Sequence, residues 1–131
     1  MRRSSVSQQL EKPEIDFPEG DAPKDLVIED IVVGDGAEAK AGDQVSVHYV
    51  GVAFSTGEEF DASWNRGSAL QFPLGAGRVI AGWDQGVQGM KVGGRRKLTI
   101  PAHLAYGDRG AGSAIAPGET LIFVCDLVKV G

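Results

Sequence analysis

The sequence predicts an α+β fold in which five or six antiparallel strands wrap around one short helix. Glycine is abundant, 19 of 131 residues, where average usage of about 7% would give about half as many, and helix-poor, glycine-rich chains are built from strands and tight turns. Short apolar segments alternate with a period of two along much of the chain. Only one stretch, VIAGWDQGVQGM at 79–90, has helical spacing, with Ile80, Trp83 and Val87 on one face. The length suits one domain with a single core.

Residues 1–24 form a separate zone. They hold three of the six prolines, charges of both signs and no periodicity, and read as a flexible tail, with folding on a partner as the alternative. The folded domain is expected over 25–131. Leu26, Ile28 and Ile31-Val32-Val33 suggest a first strand, ended by Gly34-Asp35-Gly36. After the turn Ala41-Gly42-Asp43, QVSVHYVGV places Val45, Val47 and Tyr49 toward the core and His48 on the outer face.

Ser55-Thr56-Gly57 leads into a short strand from Glu59 to Ala62, and the irregular SWNRGS follows. ALQFPL puts Leu70, Phe72 and Leu74 on one face, with Pro73 marking an edge or an end. Next comes the helix, exiting through Met90–Gly94. Its Gly82, Gly86 and Gly89 would each cost about 0.5–1 kcal/mol relative to alanine in a helix interior, which asks for a compensating reason. RRKLTIP turns Leu98 and Ile100 inward, 101–119 is a long connection, and TLIFVCDLVKV is a strand apolar on both faces. One face of the sheet must pack on the helix. What covers Ile122 and Val124 on the other face, the tail, a partner or nothing, stays open.

Composition excludes several functions. The net charge is −5 and the one cationic cluster is Arg95-Arg96-Lys97, so the electrostatic footprint of a nucleic-acid binder is missing. The N-terminus has no apolar stretch of signal-peptide or membrane-spanning length, and the single cysteine, Cys125, reads as a small core residue. A cytoplasmic location without membrane contact is expected. The chain has no C-x-x-C, H-E-x-x-H, G-x-x-x-x-G-K or G-x-S-x-G. Gly75-Ala76-Gly77 starts a dinucleotide fingerprint that fails at Ile80. The two histidines, His48 and His103, make no metal site, and Glu58 and Glu59 point to opposite faces. An enzyme built from these residues works without nucleophile, metal or cofactor.

The remaining signal is aromatic. Tyr49, Phe60, Phe72, Trp83 and Phe123 fall on inward positions, with Tyr106 on the long connection and Asp61 beside Phe60. Taken singly, each is a core residue. Together, opposite a glycine-thinned helix, they form the makings of a concave apolar pocket with a few polar groups.

VHYVGV (47–52), EEFDAS (58–63), VIAGWDQGVQGMKVGGRRKLTIP (79–101), LAYGDRG (104–110) and TLIFVCDLVKV (120–130) resemble, in order and spacing, the FKBP-type peptidyl-prolyl cis-trans isomerases. The resemblance spans about residues 25–131. It implies a non-covalent isomerase acting on proline-containing peptides and folding proteins, with Trp83 as the platform for the proline ring. Its catalytic set would be Tyr49, Phe60, Asp61, Trp83, Tyr106 and Phe123, and its ligand-binding set Arg66, Leu70, Phe72, Val79 and Ile80. The Ile80 N–H and the Tyr106 hydroxyl would hold ligand carbonyls, and Arg66 would neighbour Asp61, which either polarises the pocket or tethers the loop. No cofactor is implied, a monomer is expected, and macrolides such as tacrolimus and rapamycin would share the pocket. Leu70 stands where an aromatic residue is frequent, and Ala111 and Ala114 replace bulkier residues, which points to an open rim. A proline-binding module without turnover is the competing reading. Ser68-Ala69 leaves no room for the inserted flap of a chaperone.

Overall fold

The structure, a computed structural model, describes residues 11–16, 18 and 20–131; the first ten residues of the expected tail lie outside the described residues. Six strands form one antiparallel sheet: β1 (Val27–Val32), β2 (Gln44–Ala53), β3 (Glu59–Ala62), β4 (Leu70–Pro73), β5 (Arg95–Ile100) and β6 (Leu121–Val130). Their order is β1-β5-β6-β2-β3, and β4 lies on the same edge of β2 as β3, beside its other half. The expected α+β architecture, a six-stranded antiparallel sheet with one short α-helix, is what the described residues adopt.

Alternation drives this arrangement. Val45, Val47 and Tyr49 of β2 and Leu121, Phe123, Cys125 and Leu127 of β6 share the inner face, with Tyr49 opposite Cys125 and Val47 opposite Leu127. In β5, Leu98 and Ile100 complete that face against Phe123 and Leu121, and neither is accessible to solvent. Burial pushes the Cys125 thiol well above its ordinary range, as fits a core residue.

The helix, α1, runs only from Ala81 to Gly86. Ile80 and Val87 are its caps rather than its interior, so the apolar helix face is shorter than the 79–90 periodicity predicts. Gly82 and Gly86 stand four apart on one face, directly over β5. A Cβ at Gly82 would lie 2.5 Å from Ile100 Cγ2, and one at Gly86 2.7 Å from Leu98 Cδ2. Close approach is the compensating reason for these two glycines. Gly89 is different: it lies beyond the helix at φ +90°, a left-handed conformation that side chains disfavour.

The two arginines of the cationic cluster are consumed by the fold. The Arg96 guanidinium donates to the carbonyls of Gly86 (2.8 Å) and Gln88 (3.0 Å) and pairs with Asp30 at 2.6 Å, which satisfies acceptors left open at the helix C-terminus. Arg95 pairs with the buried Asp126 at 2.7 Å. Burial raises the Asp126 carboxyl above its usual value despite the opposing pull of Arg95.

On the outer face, His48 Nδ1 lies 2.8 Å from Ser63 Oγ and the ring stacks on Trp64 at 4.4 Å. Val50, Val52, Ile122 and Val124 on the same face are all buried. Residues 12–15 of the N-terminal stretch run beside Val50 and Val52. Lys12 pairs with Glu59 at 3.0 Å and donates to Asn65 Oδ1 at 3.0 Å, and the Glu11 carbonyl accepts from Arg95 at 2.5 Å. β1 is an edge strand whose Val27, Ile28 and Ile31 remain exposed.

If close approach at β5 is what the helix glycines serve, Gly82→Ala should lower stability despite alanine's better helix propensity. A loss of about 1–3 kcal/mol from overpacking is expected in urea denaturation, larger for Gly82→Leu. A stabilised Gly82→Ala protein would contradict the packing argument.

Candidate active site

A cavity of about 180 Å³ opens between the start of α1, the inner face of the sheet and the connection after β5. That volume suits a single small ring, and the open mouth leaves the rest of a larger ligand outside. Trp83, buried on α1, is its floor. Around it the rings of Tyr49 and Phe123 stand edge-on, with centroids 4.9 and 5.2 Å from the indole and interplanar angles of 80° and 87°. Phe60 meets Phe123 at 5.5 Å and 90°. Edge-to-face contacts fix each ring against its neighbour, so the apolar walls are rigid. Val79, Ile80 and Leu70 line one side, and Tyr106, with much of its side chain exposed, stands at the rim.

Two backbone features make this geometry possible. On β2, Gly51 faces inward between Phe60 and Phe123. A Cβ there would lie 2.6 Å from Phe60 Cζ and 2.7 Å from Phe123 Cε1, so the absent side chain is the space the two rings occupy. In the loop before α1, Gly75 and Gly77 adopt φ of +79° and +75°. Their N–H groups both donate to the Asp84 carboxylate, each at 2.9 Å. Asp84, on the helix that carries Trp83, thereby ties down the loop leading to Val79 and Ile80. The Gly75-Ala76-Gly77 fragment, which resembles the start of a dinucleotide fingerprint, serves this tether instead.

The polar wall is a closed set. Tyr49 donates its hydroxyl proton to Asp61 Oδ2 at 2.5 Å, and Arg66 reaches both Asp61 Oδ1 (2.8 Å) and the Tyr49 oxygen (2.9 Å). Burial pushes the Asp61 carboxyl upward, but the bonds from Tyr49 and Arg66 and the Arg66 charge outweigh it and hold the group below its ordinary value. Burial, then the bond to Asp61, raises the Tyr49 hydroxyl. At neutral pH Asp61 is therefore ionised, neutralised by Arg66, and Tyr49 keeps its proton. No group of three or more metal-ligating side chains exists among the described residues.

The sequence model of the FKBP-type peptidyl-prolyl cis-trans isomerases matches residues 36–128. The chain belongs to this family. It is a peptidyl-prolyl cis-trans isomerase. It is 79% identical over 122 residues to an FK506-binding protein of Streptomyces anulatus, covering 92% of this chain and 98% of that one. It is 50% identical over 107 residues to the peptidyl-prolyl cis-trans isomerase FPR2 of Saccharomyces cerevisiae, covering 82% and 76%. Among solved structures, the crystal structure of AtFKBP13 superposes with a TM-score of 0.76 at 44% identity, covering 84% of this chain and 96% of that one.

In this isomerase the fold brings Tyr49, Phe60, Asp61, Leu70, Val79, Ile80, Trp83, Tyr106 and Phe123 to one cavity. Two residues expected to bind ligand stand back from it. Phe72 is buried, its ring 5.6 Å from that of Trp83 and tilted by 50° to it. Arg66 acts through Asp61 and Tyr49. Sequence reasoning missed Gly51, Asp84 and Arg78, the last of which lines the cavity. For Gly51 a signal was available, since glycine inside a strand marks close approach. Ala114 lies outside the cavity, in a neighbouring groove beyond Phe60.

Gly51→Ala should displace Phe60 and Phe123 and lower kcat/KM for a prolyl peptide by about tenfold or more, each decade being about 1.36 kcal/mol of barrier. Unchanged turnover would contradict the role given to this glycine. Because its folded pKa is lowered, Asp61 should titrate by NMR below its unfolded value of about 3.9. The stability it contributes should be fully present above that value and disappear as pH falls through the folded one. A midpoint above the unfolded value would overturn the closed set of bonds around Asp61.

Proposed function

We propose that this cavity is where the isomerase accelerates rotation about Xaa-Pro bonds in peptides and folding proteins, without covalent chemistry. The observation that carries this reading is the floor of Trp83 walled edge-on by Tyr49 and Phe123, a rigid apolar seat scaled to one proline ring. Rotation about a peptide bond meets a barrier of about 18–20 kcal/mol because resonance gives the C–N bond partial double-bond character. The planar amide is more charge-separated than the twisted one, so an apolar seat that excludes water disfavours the planar ground state. Acceleration needs only tighter binding of the twisted form. Three decades require about 4 kcal/mol.

In this mechanism Trp83, Phe123, Phe60 and Tyr49 hold the prolyl ring. The Tyr106 hydroxyl at the rim and the Ile80 N–H fix the flanking carbonyls; Ile80 is the helix N-cap, beside the backbone donors that a helix start leaves without intrahelical partners. Asp61, held ionised by Arg66, contributes a fixed dipole to the wall while Tyr49 shields it from the proline. Leu70, Val79 and Ile80 contribute apolar contact. A monomer is the working unit in this reading. The name of the Streptomyces anulatus relative, an FK506-binding protein, supports tacrolimus, and with it rapamycin, as macrolide ligands of the same seat.

Trp83→Leu should retain the strand signature in circular dichroism while losing about tenfold or more in kcat/KM on a prolyl peptide and weakening tacrolimus binding in parallel. Turnover equal to wild type would place the chemistry elsewhere.

A further inference from the structure

Among the described residues, two that line the cavity carry formal charge, Asp61 and Arg78. They are not equivalent. Asp61 is engaged by Arg66 and by the Tyr49 hydroxyl, so its charge is balanced within the protein. Arg78 is exposed and, among the described residues, makes no ion pair and no side-chain hydrogen bond. It stands next to Val79 and Ile80 at the mouth. The other arginines of the core domain with described partners, Arg66, Arg95 and Arg96, are each spent on an internal carboxylate. The cavity mouth therefore presents one uncommitted guanidinium, in a chain whose net charge is −5.

We propose that Arg78 is a specificity-determining residue that favours substrates carrying a carboxylate side chain close to the proline. The inference rests on the cavity being the prolyl seat. A guanidinium suits this task because its planar donors match a carboxylate in two parallel bonds and it stays charged at any working pH. Its aliphatic stem adds apolar contact to the wall. The overall negative charge opposes approach of acidic peptides from a distance, so the preference belongs to the short-range encounter at the rim and is screened by salt.

The test uses the full chain and five peptides at low ionic strength. One is neutral, Ala-Ala-Leu-Pro-Phe-Ala; two place glutamate at its first or last position, and two place lysine there. The readout is the ratio of kcat/KM for glutamate over lysine at each position. Wild type should favour glutamate at one position at least by about two- to fivefold, the range open to an exposed ion pair. Arg78→Gln should bring that ratio near one, Arg78→Glu should reverse it, and added salt should shrink it in wild type. Turnover of the neutral peptide with ratios near or below one at both positions would overturn the proposal while leaving the prolyl seat standing. A wild-type preference that persists in Arg78→Glu would overturn it equally, because other charges then set it. Failure to turn over any of the five peptides would overturn both.

Discussion

The approach of α1 to β5 at Gly82 and Gly86 limits where every group above the helix can lie. With Ile100 and Leu98 filling the space where side chains would have been, a helix of six residues sits low on the sheet, and the ring of Trp83 is pressed against the inner faces of β2 and β6. Tyr49 and Phe123 then meet the indole edge-on, and Phe72 packs against it. Had either glycine carried a methyl group, the helix or the side chains of Ile100 and Leu98 beneath it would have to shift. The low helix propensity of this segment is the cost of a short distance that the pocket requires.

Charge plays a second part, mostly by being used up internally. Arg96 closes the C-terminus of the helix and anchors β1, Arg95 balances the buried Asp126, and Arg66 balances Asp61. Each of these pairs joins separate elements of the fold, so they act on geometry more than on total stability. The N-terminal stretch enters the same network. Lys12 bridges Glu59 on β3 and Asn65 in the turn that carries Arg66, which links the N-terminal stretch to the strand that presents Phe60 and Asp61.

Much of this is legible in the sequence because it depends on periodicity. The alternation of Val45, Val47 and Tyr49 and the double-faced last strand each follow from side-chain direction, and the structure keeps them; of the helical spacing of Ile80, Trp83 and Val87, only Trp83 lies within the helix and the other two cap it. Arg66 as the loop neighbour of Asp61 is an expectation of the family resemblance, and in the structure the two form an ion pair. What escapes the sequence depends on contacts between distant segments. Gly51 matters because β3 and β6 bring Phe60 and Phe123 to it, and its own strand does not name those partners. Asp84 reads as an ordinary helix residue until the loop at Gly75 and Gly77 folds back on it. Gly89 shares the spacing of Gly82 and Gly86 yet serves a left-handed turn, since the helix has already ended. Phe72 alternates correctly toward the core and packs against Trp83, outside the residues that line the cavity.

A proline ring resting on Trp83 is what every other role in the site presupposes. Intermolecular nuclear Overhauser effects between isotope-labelled protein and an unlabelled Ala-Leu-Pro-Phe peptide test it most directly. Contacts from the proline ring protons to the Trp83 indole and the Phe123 ring, removed by tacrolimus, are the predicted result. Proline contacts confined to the groove beyond Phe60, around Ser113 and Ala114, with none to the indole, would contradict it.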